Sequence, residues 1–452
     1  MTKNYEINFT KGGYIMPLLS FAIPLLLSNM LQLVYNAADI IVVGQFAGNE
    51  ALAAVGSTSS LIHFFTNLFL GLSVGSNVLI SKGFGMGDKK MLSRAVHTAF
   101  AISIISGLLL GITGFSLARK ILLLMQTPND VIDKAVLYMR IYFMGLPALS
   151  LYNFGSSILR AVGDTKRPLY FLIVSGIINI ILNLTFVIGF GMGVDGVAYA
   201  TIISEGISAI LVLICLIRTK EAYRFEINKL AIHKKELLSI LKVGIPAGIQ
   251  GSLFSFSNMI IQSNINSFGS LVMAANSASS NIENFVYSAM NAMHYSAITF
   301  SAQNLSVNNI DRIKKGFRYC LFIVIAIWIV TGGIALIFSR PLLSLFSKDA
   351  EVINYAVSRL TIIVATYFLC GFMDSMSGTL RGLSYSTLPM IVSLIGSCVF
   401  RIVWIYVMFS FDRSLYMLYL AYPFSWTITT LAHYICYKII ISNKSKALKK
   451  GM

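Results

Sequence analysis

Charge is what this sequence has least of. Only 12% of its 452 residues are Asp, Glu, Lys or Arg, against about 25% in soluble globular domains. Acids are the scarcer sign, 18 against 35 basic residues. With 56% of residues hydrophobic and a mean hydropathy of +0.76, this scarcity excludes a disordered chain and an ordinary cytosolic enzyme. Cysteines are few and odd in number: Cys215, Cys320, Cys370, Cys398 and Cys436, with no C-x-x-C pair. That excludes a disulfide framework and a zinc site and leaves them as small apolar side chains. No Walker A sequence or Asp-phosphorylation loop occurs, so any uphill work must draw on an ion gradient or on the substrate's own gradient. A secretory leader is also missing. Residues 1–13 are polar and the first apolar run is too long for an h-region, so the first span is expected to stay in the protein.

Long apolar runs fill the rest. A membrane span needs about 20 mostly apolar residues, and twelve stretches qualify, near 14–38, 53–81, 95–118, 135–158, 169–190, 195–217, 239–264, 272–301, 317–338, 354–378, 388–410 and 415–442. None alternates strictly, so helices are expected rather than barrel strands. The net charge of +17 collects on alternate connections: Lys3 and Lys11, then 82–94, 160–167, 218–242, 312–318, Arg381 and 438–450. Under the positive-inside rule this side, with both termini, is cytoplasmic, and the chain belongs in the cell membrane. The surplus is a topology signal that touches anionic headgroups, and no nucleic-acid partner is expected.

The chain repeats itself. Residues 157–168 read SILRAVGDTKRP and 378–389 read GTLRGLSYSTLP, 221 residues apart; Pro24 in FAIPL matches Pro246 in VGIPA. Phe46 and Phe268 match likewise, as do the loops 83–94 and 304–315. Six spans per copy give both copies the same orientation, hence a pseudo-two-fold axis along the membrane normal and an architecture for alternating access. The expected division is a first lobe 1–217, a basic linker 218–238 and a second lobe 239–452. A channel or another non-transporting membrane protein would be the alternative from a different class.

Several segments stand in a telling order: VYNAADIIVVGQFAG followed by EALAAVG at 50–56, LRAVGDTKRP, the fifth span NIILNLTFVIGFGMGVDGVAYAT, NIENF with AQNL in the eighth, and LRGLSYSTLPM ending the tenth. Together they resemble the multidrug and toxic compound extrusion (MATE) transporters, over essentially the whole length. The resemblance implies efflux of amphipathic, often cationic compounds in exchange for Na⁺ or H⁺, with no other cofactor and no catalysis of a reaction. A lipid-linked oligosaccharide flippase of the same superfamily is the rival, and it would need a cavity rich in Arg and Lys.

Ionisable groups inside spans are costly and therefore candidates for function. Asp39 heads them. Asn179 and Asn183, four apart on one helical face, and Thr201 offer oxygen ligands for Na⁺ or hydrogen bonds to Asp39. By resemblance these four fall on the polar cluster of the family's N-terminal lobe, although some branches carry Asp where this chain has Asn183. Glu205 shares a face with Thr201. In the second copy stand Glu283, Asp374 and Arg401, and Glu283 is read as a partner for Arg401. The seventh span carries no acid, so a second-lobe cation site is not carried over. Substrate is expected to meet aromatic and methionine side chains, Phe64, Tyr152, Phe154, Phe256, Phe285, Tyr287 and Met290, since ring faces attract cations and methionine adapts to varied shapes. Pro24, Pro147, Pro246 and Pro423 sit inside spans as candidate bends. GDTKRP at 163–168 lacks the glycine spacing of a phosphate loop and reads as a gating turn. A monomer among membrane lipids is expected.

Overall fold

The computed structural model describes residues 5–125, 127–128 and 130–450, apart from the side chains of Asn49, Leu52, Ser60, Leu448, Lys449 and Lys450. Lys3 and the side chains of Lys449 and Lys450, counted above with the basic face, lie outside the described residues. All regular structure there is helical. In order come α1 (Ile15–Val42), α2 (Asn49–Met86), α3 (Lys89–Leu124), α4 (Ile132–Ala161), α5 (Lys166–Asn183), α6 (Val194–Arg218) and α7 (Lys234–Asn266). There follow α8 (Ser270–Ser306), α9 (Ile310–Ile337), the short α10 (Ser339–Ser344), α11 (Ala350–Gly382), α12 (Thr387–Ser393), α13 (Phe400–Phe411) and α14 (Leu415–Lys450). Three π-helical turns interrupt them: Val43–Ala47 after α1, Leu184–Gly189 after α5, and Leu394–Val399, which joins α12 to α13 in one span.

Ten of these helices are long and apolar enough to cross a bilayer. The more polar α8 and α14, at 37 and 36 residues, complete an all-α membrane protein of twelve spans in two six-helix repeats. All four in-span prolines lie inside helices, in α1, α4, α7 and α14. The five cysteines are free.

The backbone repeats as the sequence does. Positive φ recurs 221 residues apart, at Gly48 and Gly269, Gly87 and Asn308, Gly163 and Ser384. The N-caps recur too: Asp88 accepts the Met91 amide at 2.9 Å and Asn309 the Arg312 amide at 3.0 Å, each satisfying an orphan donor of its helix. In the second copy two of these positions carry non-glycine residues, Asn308 and Ser384; asparagine tolerates the left-handed region better than most side chains, serine less so.

The chain divides into two compact units, and the linker is not where they part. One unit takes Leu27–Gly248 with the N-terminal stretch up to Ile7; the other takes Asn8–Leu26 with everything from Ile249 onward. Two helices therefore change unit midway, α1 three residues after Pro24 and α7 three residues after Pro246.

Within the first unit α4 packs against α2, α3 and α6. Its core runs through Phe69, Tyr142, Phe143 and Leu146 at one end and Phe100, Phe154, Ile158 and Leu159 at the other. The first half of α7 joins it through facing glycines. A Cβ on Gly71 would lie 2.1 Å from the backbone nitrogen of Gly248, and one on Gly75 would lie 2.1 Å from the Ile240 carbonyl oxygen and 2.9 Å from the Gly244 nitrogen. Gly71-x₃-Gly75 thus meets Gly244-x₃-Gly248, the small-residue pairing that lets helix backbones touch in a membrane. Gly71→Val is expected to cost about 1–3 kcal/mol through overpacking. Thermal unfolding in detergent checks this against Gly56→Val, where a Cβ on the same helix meets nothing within 4 Å.

The turn at 163–168 is an anchor. Asp164, wholly buried, accepts the Lys166 and Arg167 amides at 3.1 Å each and pairs with the Arg167 guanidinium. Arg167 also donates to Tyr223 of the linker at 3.2 Å, and Tyr223 donates to Glu6 at 2.8 Å. Burial pushes the Asp164 and Glu6 carboxyls up from their ordinary values.

In the second unit α11 is the central helix, packed on α8, α9 and α14. Arg312, counted above only as a topology charge, donates to the carbonyls of Phe9, Lys11, Gly12 and Gly13 at 2.7–3.2 Å. Arg381, counted with it, is buried inside α11 rather than displayed on a loop.

Candidate ion and substrate site

Asp39 lies in the last turn of α1, four residues before one π-helical turn, and Asn183 ends α5 directly before another; those two turns touch one another. π-turns recur at functional sites because the extra residue frees backbone groups and re-aims side chains. Asn183 Nδ2 donates to Asp39 Oδ1 at 2.5 Å and to Asn179 Oδ1 at 3.2 Å; Thr201 Oγ1 reaches Asp39 Oδ2 at 3.5 Å. Asn179 Nδ2 continues the chain to Ser204 Oγ at 3.4 Å. Asp39, Asn179, Asn183 and Thr201 therefore form one hydrogen-bonded network across α1, α5 and α6.

The network opens on a cavity of about 280 Å³. Asp39, Asn179, Thr201, Glu205 and Tyr152 line it. So do Gln32, Tyr35, Asn36 and His63, which sequence reasoning missed. The first three sit seven, four and three residues before Asp39, on its own helical face, and that spacing could have found them. Tyr35 lies flat on α5 because residue 176 is glycine: a Cβ there would fall inside the Tyr35 ring. The lining holds two carboxylates and neither lysine nor arginine. Two buried oxygens nearby, Asn183 Oδ1 and Glu205 Oε2, have no hydrogen-bond partner among the described residues.

The donor set bears on which cation fits. Asp39 receives hydrogen-bond donors only, and Asn183 turns its NH₂ to the carboxylate with its oxygen unused. Turning that amide over would present an oxygen beside Asp39, so the two amide orientations offer either a hydrogen-bond donor or a cation ligand at the same place.

Glu283 is not paired with Arg401. Its carboxylate is gripped by Arg359, Nε to Oε1 and Nη2 to Oε2, both at 2.9 Å, and accepts the Ser279 hydroxyl at 2.7 Å. Arg401 donates instead to Ser425 at 2.9 Å and Asn258 at 3.1 Å, its guanidinium 4.4 Å from the Tyr422 ring centre. Asp374 accepts hydrogen bonds from Tyr287 and Asn291. Its backbone carbonyl meets His294 Nδ1 at 2.7 Å, and His294 Nε2 meets Arg381 at 3.2 Å. One tautomer satisfies both contacts, with the proton on Nδ1. The second unit thus buries three arginines, not Arg401 alone. Arg359 is neutralised by Glu283, and Arg381 is held by His294 and by Gln250 at 2.9 Å.

Of the seven proposed substrate side chains, Tyr152 lines the cavity. Phe154 and Met290 are packed inside, Phe154 among Phe100 and Ile158. Phe64, Phe256 and Phe285 are exposed. Tyr287 serves Asp374 and stacks at a tilt toward Tyr367 at 6.5 Å. One helix by itself does not tell which of its aromatic residues meets this cavity.

Twelve spans in two repeats, with a hydrogen-bonded carboxylate network lining a cavity in the first, are the architecture of a membrane transporter. The MatE family model matches twice, over residues 24–185 and 246–407, two segments whose starts and ends are each 222 residues apart, and the chain belongs to that family. The Bacillus subtilis protein YoeA, described as a probable multidrug resistance protein, is 30% identical and covers 94% of this chain and 93% of its own length. YpnP of the same organism, described likewise, is 28% identical over 87% of this chain and 88% of itself. The outward-facing structure of a multidrug resistance MATE transporter of the MOP superfamily superposes with a TM-score of 0.92 at 20% identity, covering 99% of this chain and all of that one.

Proposed function

We propose that the protein exports amphipathic, cationic compounds in exchange for Na⁺ or H⁺ by alternating access, with Asp39 as the coupling carboxylate. One observation carries this reading: the first unit's cavity holds Asp39 and Glu205 with no basic residue of the Lys or Arg type among its lining, so its field favours cations. The relatives named as multidrug resistance proteins support the substrate class.

Coupling follows from competition. A cation or proton taken up at Asp39 neutralises the charge that a cationic substrate needs, so each weakens the other's binding by the same factor. Asn179, Asn183 and Thr201 hold the carboxylate in place, Glu205 adds the second negative charge, and Tyr152 and Tyr35 present ring faces to a cation. The lining of this cavity offers no lysine or arginine to a pyrophosphate, which weighs against the flippase alternative. In this reading the protein works as a monomer in the cell membrane, and the charge bias of its connections supports cytoplasmic termini.

The test is accumulation of a fluorescent cation in cells expressing the chain, with Na⁺ present or replaced and with or without a protonophore. Expression should lower dye at least several-fold. Relief on Na⁺ removal names Na⁺, relief by the protonophore names H⁺, and unchanged accumulation under every condition refutes the reading.

A further inference from the structure

The linker between the repeats is pinned along α3. Phe225 stacks at 4.3 Å on Phe100 and at 5.5 Å on His97. His97 is buried, with one ring nitrogen 2.6 Å from the Ser93 carbonyl and the other 3.1 Å from the backbone of Glu226. Thr98 accepts the His233 amide at 3.1 Å.

Held in this way, linker and helix border a second hollow, open to the surface and of about 440 Å³, lined by Lys90, Ser93, Arg94, His97, Lys229 and His233. The four α3 residues fall at i, i+3, i+4 and i+7, a single helical face. Lys229 is paired with Glu226 at 2.9 Å. Lys90 and Arg94, both exposed, have no carboxylate within ion-pair distance among the described residues. Beside this charge the linker exposes aliphatic side chains, Ile227, Leu230 and Ile232, at 68%, 40% and 46%.

Water gives no reason to display three aliphatic residues next to unpaired cations; the boundary between headgroups and acyl chains does. We propose that this hollow binds the phosphate of an anionic phospholipid. Lys90 and Arg94 supply the charge, the Arg94 fork matching two phosphate oxygens, and Ser93 supplies a hydroxyl. Ile227, Leu230 and Ile232 rest against the adjoining acyl chains. The lipid then fastens the linker to α3 from outside, as Phe225 and His97 do from inside. This inference is independent of what is transported.

The full-length protein, purified in detergent, is titrated with phosphatidylglycerol, phosphatidylcholine or inorganic phosphate, and lipid retained per chain is read by native mass spectrometry. Phosphatidylglycerol should be retained over phosphatidylcholine. The pair Lys90→Ala with Arg94→Ala should lower retention about 10- to 30-fold, while Lys444→Ala with Lys446→Ala, the same charge change on α14, should not. Ile227→Ser, Leu230→Ser and Ile232→Ser together should lower lipid retention as well. Both sets of changes are at exposed side chains and should leave unfolding in lipid-free detergent where it was. Equal loss in the α14 control reduces the effect to general surface charge and overturns the proposal. Displacement of the lipid by millimolar inorganic phosphate, with no effect of the serine replacements, makes the hollow a site for free phosphate and overturns it too.

Discussion

Asp39→Asn is expected to raise dye accumulation to the level of cells lacking the protein, a loss of at least about 10-fold in efflux. The replacement keeps size and shape, so Asn183 and Thr201 still have a neighbour of the same volume. It removes the one feature the network is built around, a group that changes charge. An amide can neither release a proton nor neutralise a bound cation, and its NH₂ would face the NH₂ of Asn183, which already donates at 2.5 Å. Glu205→Gln should do less, because Glu205 lines the cavity without a donor on Oε2 and stands outside the network joining three helices. The measurement is efflux rate at matched expression, with unfolding temperature as the control for folding. Wild-type efflux from Asp39→Asn would remove this carboxylate from the coupling mechanism.

The second large effect is on stability. Arg359→Met should cost about 3–5 kcal/mol, because it strands Glu283 as an unpaired carboxylate in a buried position. Both partners are almost wholly enclosed, at 5% and 4% exposure, and the contact is two-pronged with Ser279 as a third donor. Replacing both, Arg359→Met with Glu283→Leu, should recover most of the loss, since an apolar pair of similar volume avoids desolvating either charge. Unfolding of the two single variants and the double variant in detergent gives the coupling directly. A double variant no more stable than Arg359→Met would show that the pair is not what the single change breaks.

The sequence made the helices plain and their faces only partly so. Long apolar runs gave twelve spans and the 221-residue repeat gave their pairing, because both signals are local or periodic. The Asp39 network was legible for a related reason: Asn179 and Asn183 are four apart, and the resemblance brought α1 and α6 to them. Arg359 escaped. It lies in the first turns of its predicted span, where basic residues usually reach the interface, and only tertiary packing shows it turned inward onto Glu283, 76 residues away in sequence. Arg381 was misread as a loop charge for the complementary reason, since α11 continues to Gly382 beyond the end of the apolar run. Which of the seven named substrate side chains meets the Asp39 cavity was illegible, because aromatic residues that line it and aromatic residues that do not have the same composition around them.

The two helices that change allegiance at Leu27 and Ile249 have a consequence for biosynthesis. Translation runs from N- to C-terminus, so the segment Asn8–Leu26 is made well before the rest of its own unit, which resumes at Ile249. The first unit in turn stays open until the start of α7 has emerged, more than two hundred residues later. Neither half released by a cut in the linker contains a whole compact unit, so each fragment made alone should be prone to degradation, and the two made together should protect one another.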